Sequence, residues 1–441
     1  MVEHDPDELL AGTLEAISDV VAGDRAAVAA VGIASQTESF LLWERDGGRA
    51  VTPVVSWQDQ RAGDLCAALG RSAADAVRAK TGLALDPTFS APKLAWLFDA
   101  DASLRERAEA GELLFSDVAG WLAWQLSGGE AHVTEPSNAC RSLLVDLQTL
   151  RWGRELLDLF GVPSALLPEI VPSDHPGVRT SGPVAGLEAP LAAMLGDQPA
   201  ALYGQGCTSS RMAALTLGTG AFLLLNVGAD PPEPPPGVLA SPAWVKRASG
   251  PTYVLEAFCA NAGNALDMLP ALGFSGDGAS RTPDWSTPHP VVVPAPAGLG
   301  TPRWHGADRI TVLGAGSTTT AADLGAAALA GVAHQIADAL DAVDAGGSAD
   351  VLRVGGGLSA HEGLLQAVAD LSGLTLEVAA NPEATARGIA TLAAEAVGVL
   401  DETGSAPAIV NRVAPRLDDA GRARERSRWE AAVEIHVRAG A

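Results

Sequence analysis

The chain is short of cysteine, of positive charge and of long apolar runs, and each shortage removes a class of protein. Its four cysteines, Cys66, Cys140, Cys207 and Cys259, are scattered and form no C-x-x-C pair, so no metal or redox motif is present. Four thiols could make two disulfides, but a chain of 441 residues can bury full cores without them. Reduced, buried thiols in a cytoplasmic protein are therefore expected. No apolar run is long and unbroken enough to span a bilayer. The opening Met1-Val2-Glu3-His4-Asp5-Pro6 has no basic stretch leading into an apolar one, so no signal peptide is read. Lys and Arg number 29 against 53 Asp and Glu, a net charge of −24, which argues against a nucleic-acid partner. The same charge does not exclude ATP, because local N–H groups and a metal can hold phosphate inside an acidic protein. No internal repeat is visible.

What is present is an alternation of helix and strand signals in a chain that is 47% hydrophobic, which predicts an α/β protein. Asp5-Pro6-Asp7-Glu8 opens a helix with a cap, a first-turn proline and a capping-box glutamate. Leu10, Leu14, Ile17 and Val21 then give it one apolar face, and Gly23 ends it. Strands are predicted over Val28–Ala34 and Phe40–Trp43, a turn at Asp46-Gly47, and extended chain over Pro53–Trp57. A long helix is predicted over Ala321–Val343, with Leu324, Ala328, Val332, Ile336, Leu340 and Val343 on one face and Ser317 and Thr318 as caps. A strand over Val351–Val354, the triplet Gly355-Gly356-Gly357, a helix over Ala360–Leu371 and a strand over Leu374–Val378 come next. Such a strand–glycine–helix unit can hold a nucleotide at the helix N-terminus, or be a plain connection. Segments 230–237, proline-rich, and Ser275–Pro290, polar, read as surface loops.

The most informative stretch is Leu215 to Asn226. It reads as a strand, a turn at Gly218-Thr219-Gly220, and a second strand. Glycines flanking a threonine turn the backbone tightly and expose N–H groups that can cradle an anion. The triplet alone equally fits a simple hairpin turn. Its neighbours are Gly196-Asp197-Gln198-Pro199 through Gln205 upstream, and Val291 to Pro294, Gly298 to Trp304 and Leu352 to Ser359 downstream. In this order and spacing the segments resemble the FGGY carbohydrate kinase family, nearest to its glycerol kinase branch, from about Val2 to about Glu434.

The resemblance implies a two-domain, actin-like ATPase (ribonuclease H-like) α/β fold with the active site in the cleft between domains. It places the boundary near Gly204 to Thr208, with residues 1–205 on the substrate side and 206–441 on the nucleotide side. It implies ATP and Mg²⁺ as cofactors and a small polyol or sugar as substrate, with no nucleic acid and no membrane. A homo-oligomer, dimer or tetramer, is within that expectation. Asp197, in the matching Gly-Asp-Gln segment, becomes the catalytic base and a metal ligand, where local sequence alone reads it as a turn or capping residue. On the substrate side, Ser35-Gln36-Thr37-Glu38-Ser39 matches Asn-Gln-Arg-Glu-Thr, so Glu38 is kept and Thr37 replaces an arginine. Ser56-Trp57-Gln58-Asp59 supplies Trp57 as a pocket wall, Phe222 aligns with a second wall, Gln198 beside the base is a further substrate-binding residue, and Thr88 replaces a substrate-contacting tyrosine. Two bulky contacts shortened to threonine imply a wider pocket. For ATP, Gly218 and Thr219 should face the phosphates, Gly314 should line the nucleotide side, and Gly356, Gly357, Leu358 and His361 should border the adenosine. His361 also fits a solvated first-turn residue, and Glu256 has a structural reading.

One family feature is not found. The opening strand and Asp-x-Gly-Thr-Thr-Ser phosphate loop have no match, and Val2-Glu3-His4-Asp5-Pro6 matches a segment located after the first strands. The first domain is therefore expected to be truncated and to hold Mg-ATP poorly. Two functions compete: an ATP-dependent phosphotransferase acting on a polyol or sugar hydroxyl, and a non-catalytic sugar- or nucleotide-binding relative that has lost its phosphate loop. An actin- or chaperone-like ATPase would give Glu38 and Trp57 no reason to sit where they do.

Overall fold

Helix and strand alternate as expected, and the main sheets fall into two systems with a shared seam: separate three- and four-stranded sheets in the first half of the chain, and a seven-stranded sheet in the second. The computed structural model describes residues 1–21, 28–175, 177–272, 281–306, 309–344, 349–401 and 406–439. The first system begins with helix α1 (Pro6–Val21). Asp5 caps it, accepting from the N–H groups of Asp7 at 2.8 Å and Glu8 at 3.3 Å. The expected stop at Gly23 lies outside the described residues. Strand β1 (Val31–Ser35) starts three residues later than expected and runs one residue further. It is followed by β2 (Phe40–Glu44) and β3 (Leu113–Asp117), which pair antiparallel. Strand β4 (Pro190–Gly196) pairs parallel with β1, and helix α2 (Asp197–Gly204) springs directly from its end.

The second system is a seven-stranded mixed sheet. It contains β5 (Met212–Leu217), β6 (Ala221–Gly228), β7 (Leu239–Lys246) and β8 (Gly250–Cys259). After helix α3 (Ala321–Val343) come β9 (Val351–Gly355), helix α4 (Glu362–Ser372), β10 (Leu376–Ala379), helix α5 (Ala384–Ala396) and β11 (Ile409–Val413). The strand order is β7-β8-β6-β5-β9-β10-β11. The predicted hairpin is present, with Leu217 opposite Ala221 across the Gly-Thr-Gly turn. Residues 231–235 and 281–290 carry no helix or strand.

Two expectations about α3 need correction. Its cap is Thr320, not Ser317 or Thr318: Thr320 Oγ1 accepts from the Asp323 N–H at 3.2 Å, and Asp323 returns the bond to the Thr320 N–H at 2.9 Å. Nor does it bury only one face. Every residue from Ala327 to Leu340 is buried, because the strand Val291–Ala295 and the last helix (Asp419–Arg438) cover the side turned away from the sheet. The polar members of that run are satisfied there: Gln335 donates to Pro294 O at 2.9 Å, and Asp338 accepts from the Trp429 indole at 2.8 Å. Likewise α4 starts at Glu362 rather than Ala360, because Gly357–Ala360 form a 3-10 turn.

The seam is apolar. Leu195, Leu202, Tyr203, Leu224, Trp244, Val254, Ile389 and Leu392 form one buried cluster drawn from β4, α2, β6, β7, β8 and α5. Each large side chain buried this way contributes about 1.5–3 kcal/mol. Helix α5 packs on β1, β4 and α2 although its neighbours in sequence belong to the seven-stranded sheet. It crosses α2 where both helices are reduced to glycine: a Cβ on Gly204 would sit 1.9 Å from Ala384 O, and one on Gly388 1.8 Å from Ala200 O.

Candidate active site

Parallel pairing brings the site together. Leu195 lies opposite Ala34 and Gly196 opposite Ser35, so β1 and β4 end side by side. The residues after the two strands emerge at the same edge: Gln36-Thr37-Glu38 from one, Asp197-Gln198 from the other. Ligands bind beyond the carboxyl ends of parallel strands for this reason. The junction is tight, since a Cβ on Gly196 would meet Thr37 Cγ2 at 2.6 Å. The Gly196 N–H donates to Ser137 Oγ at 2.9 Å, which fixes the residue before the expected base.

Asp197 Oδ1 accepts from the Gln198 N–H at 2.9 Å. Burial, then the nearby Glu38 charge, pushes the Asp197 pKa up to about 6. Glu38 takes a left-handed backbone conformation, φ 61°, which aims its side chain back into the cavity region. Its Oε2 accepts from Thr37 Oγ1 at 2.6 Å and its Oε1 from Arg141 Nε at 2.5 Å. The Trp57 N–H donates to Ser39 Oγ at 3.0 Å. Lys93 is wholly buried and donates to Ser56 O at 3.0 Å and Thr88 O at 2.5 Å, so one ammonium ties the Trp57 and Thr88 segments together. That burial lowers its pKa to about 8.

A cavity of about 510 Å³ is lined by Thr37, Glu38, Trp57, Thr88, Asp197, Gln198 and Phe222, all seven residues singled out for base and substrate. Its outer wall is aromatic: Phe222 and Phe258 rings lie 4.7 Å apart, and Trp304 stacks on Phe258 at 6.5 Å. Gln198 Oε1 is buried without a hydrogen-bond partner among the described residues, an acceptor suited to a ligand hydroxyl. A second hollow of about 530 Å³, lined by Trp285, Asp370, Arg416 and Arg424, lies against the last helix and holds none of these residues.

The glycine segments converge for a similar reason. Strands β5 and β9 are parallel neighbours, with Thr216 opposite Gly355, so the Gly218-Thr219 turn and the Gly356-Gly357 turn leave the sheet together. Gly356 has φ 89°, and a Cβ there would lie 2.4 Å from Leu217 O. Above Gly357 a Cβ would meet nothing within 4 Å, and above Gly218 only Gly220 O at 3.8 Å. The backbone is therefore open at Gly218 and Gly357. The other expected nucleotide residues divide. Leu358 packs its side chain on the core of the seven-stranded sheet. His361 caps α4, its Nδ1 accepting from the Leu364 N–H at 3.1 Å. Gly314 ends the strand Arg309–Leu313, where the nearest atom to a Cβ would be Pro290 Cα at 4.0 Å.

Arg141 was not legible as a site residue, and Glu256, which also has a structural reading, reaches the cavity as well. Both line the cavity, and Arg141 Nη1 donates to both Glu256 oxygens at 3.0 Å. The one signal was that Arg141 is the only charge between Pro136 and Val145. Lys93, a lone cation in the apolar run Ser90–Trp96, carried a similar signal. All four cysteines are free, with Cys140, Cys207 and Cys259 buried. Among the described residues no helix is long and apolar enough to cross a membrane.

Comparison with known proteins agrees with this geometry. The models for the FGGY family of carbohydrate kinases match residues 1–204 (N-terminal domain) and 213–397 (C-terminal domain). The chain is 40% identical to a glycerol kinase of Citrifermentans bemidjiense, over 99% of this chain and 90% of that one. It is also 40% identical to a glycerol kinase of Thermus brockianus, over 98% and 90%. A Plasmodium falciparum glycerol kinase crystallised with ADP superposes with TM-score 0.91 at 26% identity, covering 98% of this chain and 90% of that one. A gluconate kinase from Lactobacillus acidophilus shares the fold, with TM-score 0.87 at 19% identity, covering 100% and 90%. The expected truncation of the first domain finds no support in these matches. With family models covering both sheet systems and relatives at 40% identity along nearly its whole length, the chain belongs to the FGGY family of carbohydrate kinases.

Proposed function

We propose that this chain transfers the γ-phosphoryl group of ATP to a hydroxyl of a small polyol or sugar, with Asp197 as the general base. The observation that carries the reading is the meeting of Asp197, Glu38 and Trp57 in one cavity. Glu38 and Gln198 accept from substrate hydroxyls, while Trp57 and Phe222 pack against its carbon chain. The hydroxyl oxygen attacks the γ-phosphorus, its proton passes to the Asp197 carboxylate, and ADP leaves. With its pKa at about 6, Asp197 is mostly ionised at neutral pH yet basic enough to take a proton as the bond forms. The open N–H groups at Gly218-Thr219 and Gly356-Gly357 hold the phosphates, and the Leu358–His361 turn borders the adenosine.

A divalent metal is the family's usual companion to ATP, and we assign Mg²⁺. Among the described residues no group of three or more His, Cys, Asp and Glu could cage an ion. That suits Mg²⁺ held mainly by nucleotide phosphates and water, with Asp197 as the protein oxygen. When bound, it neutralises phosphate charge. The non-catalytic alternative is not favoured by relatives that are themselves kinases.

The substrate is read as larger than or different from glycerol, since Thr37 and Thr88 both line the cavity in place of long side chains. The test is ADP release from ATP with glycerol, erythritol, xylulose, ribulose and gluconate in turn. Release above the no-acceptor blank with at least one is expected. No release with any polyol or sugar overturns the proposal.

A further inference from the structure

Arg141 has two anionic partners from different sheet systems. Its Nε donates to Glu38 Oε1 at 2.5 Å, and Glu38 lies just past β1. Its Nη1 donates to Glu256 at 3.0 Å, and Glu256 sits in β8 of the seven-stranded sheet. The guanidinium lies over the Phe89 ring, 5.3 Å from the centroid, so it is held on a third side. The three charged side chains are 15%, 7% and 16% exposed for Arg141, Glu38 and Glu256, little enough for water to screen them weakly. Burial would depress the Arg141 pKa, but Glu256 and Glu38 outweigh it and the shift is upward, so the cation persists. Ser241 Oγ also donates to Glu256, fixing the outer carboxylate from its own sheet.

We infer that Arg141 is a positioning residue that makes substrate recognition by Glu38 depend on Glu256. This rests on the phosphotransfer reading above. Glu256 orients the guanidinium, the guanidinium takes one Glu38 oxygen, and Thr37 takes the other. Glu38 then presents its remaining lone pairs to the cavity in one orientation. A planar fork can span two carboxylates at fixed angles, whereas an ammonium cannot. Without the link, Glu38 would turn away from the Asp197 charge it faces across the cavity. The family's substrate-side arginine is Thr37 here, so Arg141 is the cation that holds Glu38.

The test is a double-mutant cycle on the full chain. Glu256→Gln keeps the shape and removes the charge, and Arg141→Lys keeps the charge and removes the fork. Polyol binding without ATP is measured by calorimetry, using the acceptor turned over best by wild type. Thermal unfolding checks that each variant is folded. Each single change should weaken polyol binding about tenfold or more, and the double variant should be no weaker than the worse single one, since the coupled residues act as a unit. The KM for polyol should rise with that Kd while the KM for ATP stays within about twofold, a split that general loosening of the fold would not give. Losses that multiply in the double variant would mean Glu256 touches substrate itself and would overturn the inference. So would wild-type affinity in Glu256→Gln. Both outcomes leave the phosphotransfer reading standing, whereas a wild type that neither binds nor phosphorylates any acceptor overturns that reading as well.

Discussion

Exchanging Asp197 for asparagine should separate catalysis from stability. The side chain keeps its size, and its Oδ1 can still accept from the Gln198 N–H at 2.9 Å. What disappears is the proton acceptor and a buried charge. Loss of a general base slows turnover by about 10²–10⁴-fold, which is about 3–5 kcal/mol of barrier. The fold should respond in the opposite direction. The folded pKa is raised from 3.8 to about 6, so the native state binds the proton more tightly than the unfolded chain does. Stability is then lost as pH climbs from 3.8 towards 6, and the full penalty applies above that. A carboxyl raised this far costs the folded state at most about 3 kcal/mol. Asparagine lifts this penalty at pH 8 and changes little below about pH 4. Over 441 residues unfolding together, the gain amounts to a rise in Tm of about 3 °C. Calorimetric scans at pH 4 and pH 8, beside kcat measured on the best acceptor, provide the assay. A variant that is slow and also less stable at pH 8 would refute the placement of Asp197 as a desolvated base.

Three further changes probe the site's charge, its width and the helix crossing beneath it. The acid limb of the wild-type kcat/KM profile should fall near pH 6, and Glu38→Gln should move it to lower pH, because the Glu38 charge helps hold the Asp197 pKa up; a limb that stays put would disconnect the two carboxylates. Thr37→Arg combined with Thr88→Tyr should shift the kcat/KM ratio towards glycerol by about tenfold, and an unchanged ratio would show that these positions do not face the substrate. Gly388→Ala should lower stability by about 1–3 kcal/mol or more, because its Cβ would sit 1.8 Å from Ala200 O; an unshifted Tm would mean that the two helices part freely.

The elements with local causes were legible in the sequence. The helix from Pro6 is capped by Asp5, the hairpin turns at Gly218-Thr219-Gly220, and the strand over 351–355 precedes its glycines, each set by residues within a few positions. The cavity residues were legible through the order of the family's motifs, because the resemblance assigned Thr37, Glu38, Trp57, Thr88, Asp197, Gln198 and Phe222 to the site, and of these only Trp57, in a polar run, stood out on local composition. Contacts across the chain were not. Arg141 and Glu256 stand 115 residues apart, and neither has a neighbour in sequence that predicts the other. The all-round burial of α3 depends on the strand and final helix that cover its outer side, so its helical period alone suggested one apolar face. Thr320 outcompeted Ser317 and Thr318 as cap because only it has Asp323 three residues ahead to return the bond. Short-range chemistry in the sequence therefore determined the helices, turns and family motifs. Tertiary structure alone decided which charges pair around the cavity, because Arg141, Glu38 and Glu256 come from segments far apart in the chain that only the packing of the sheets brings within hydrogen-bond reach.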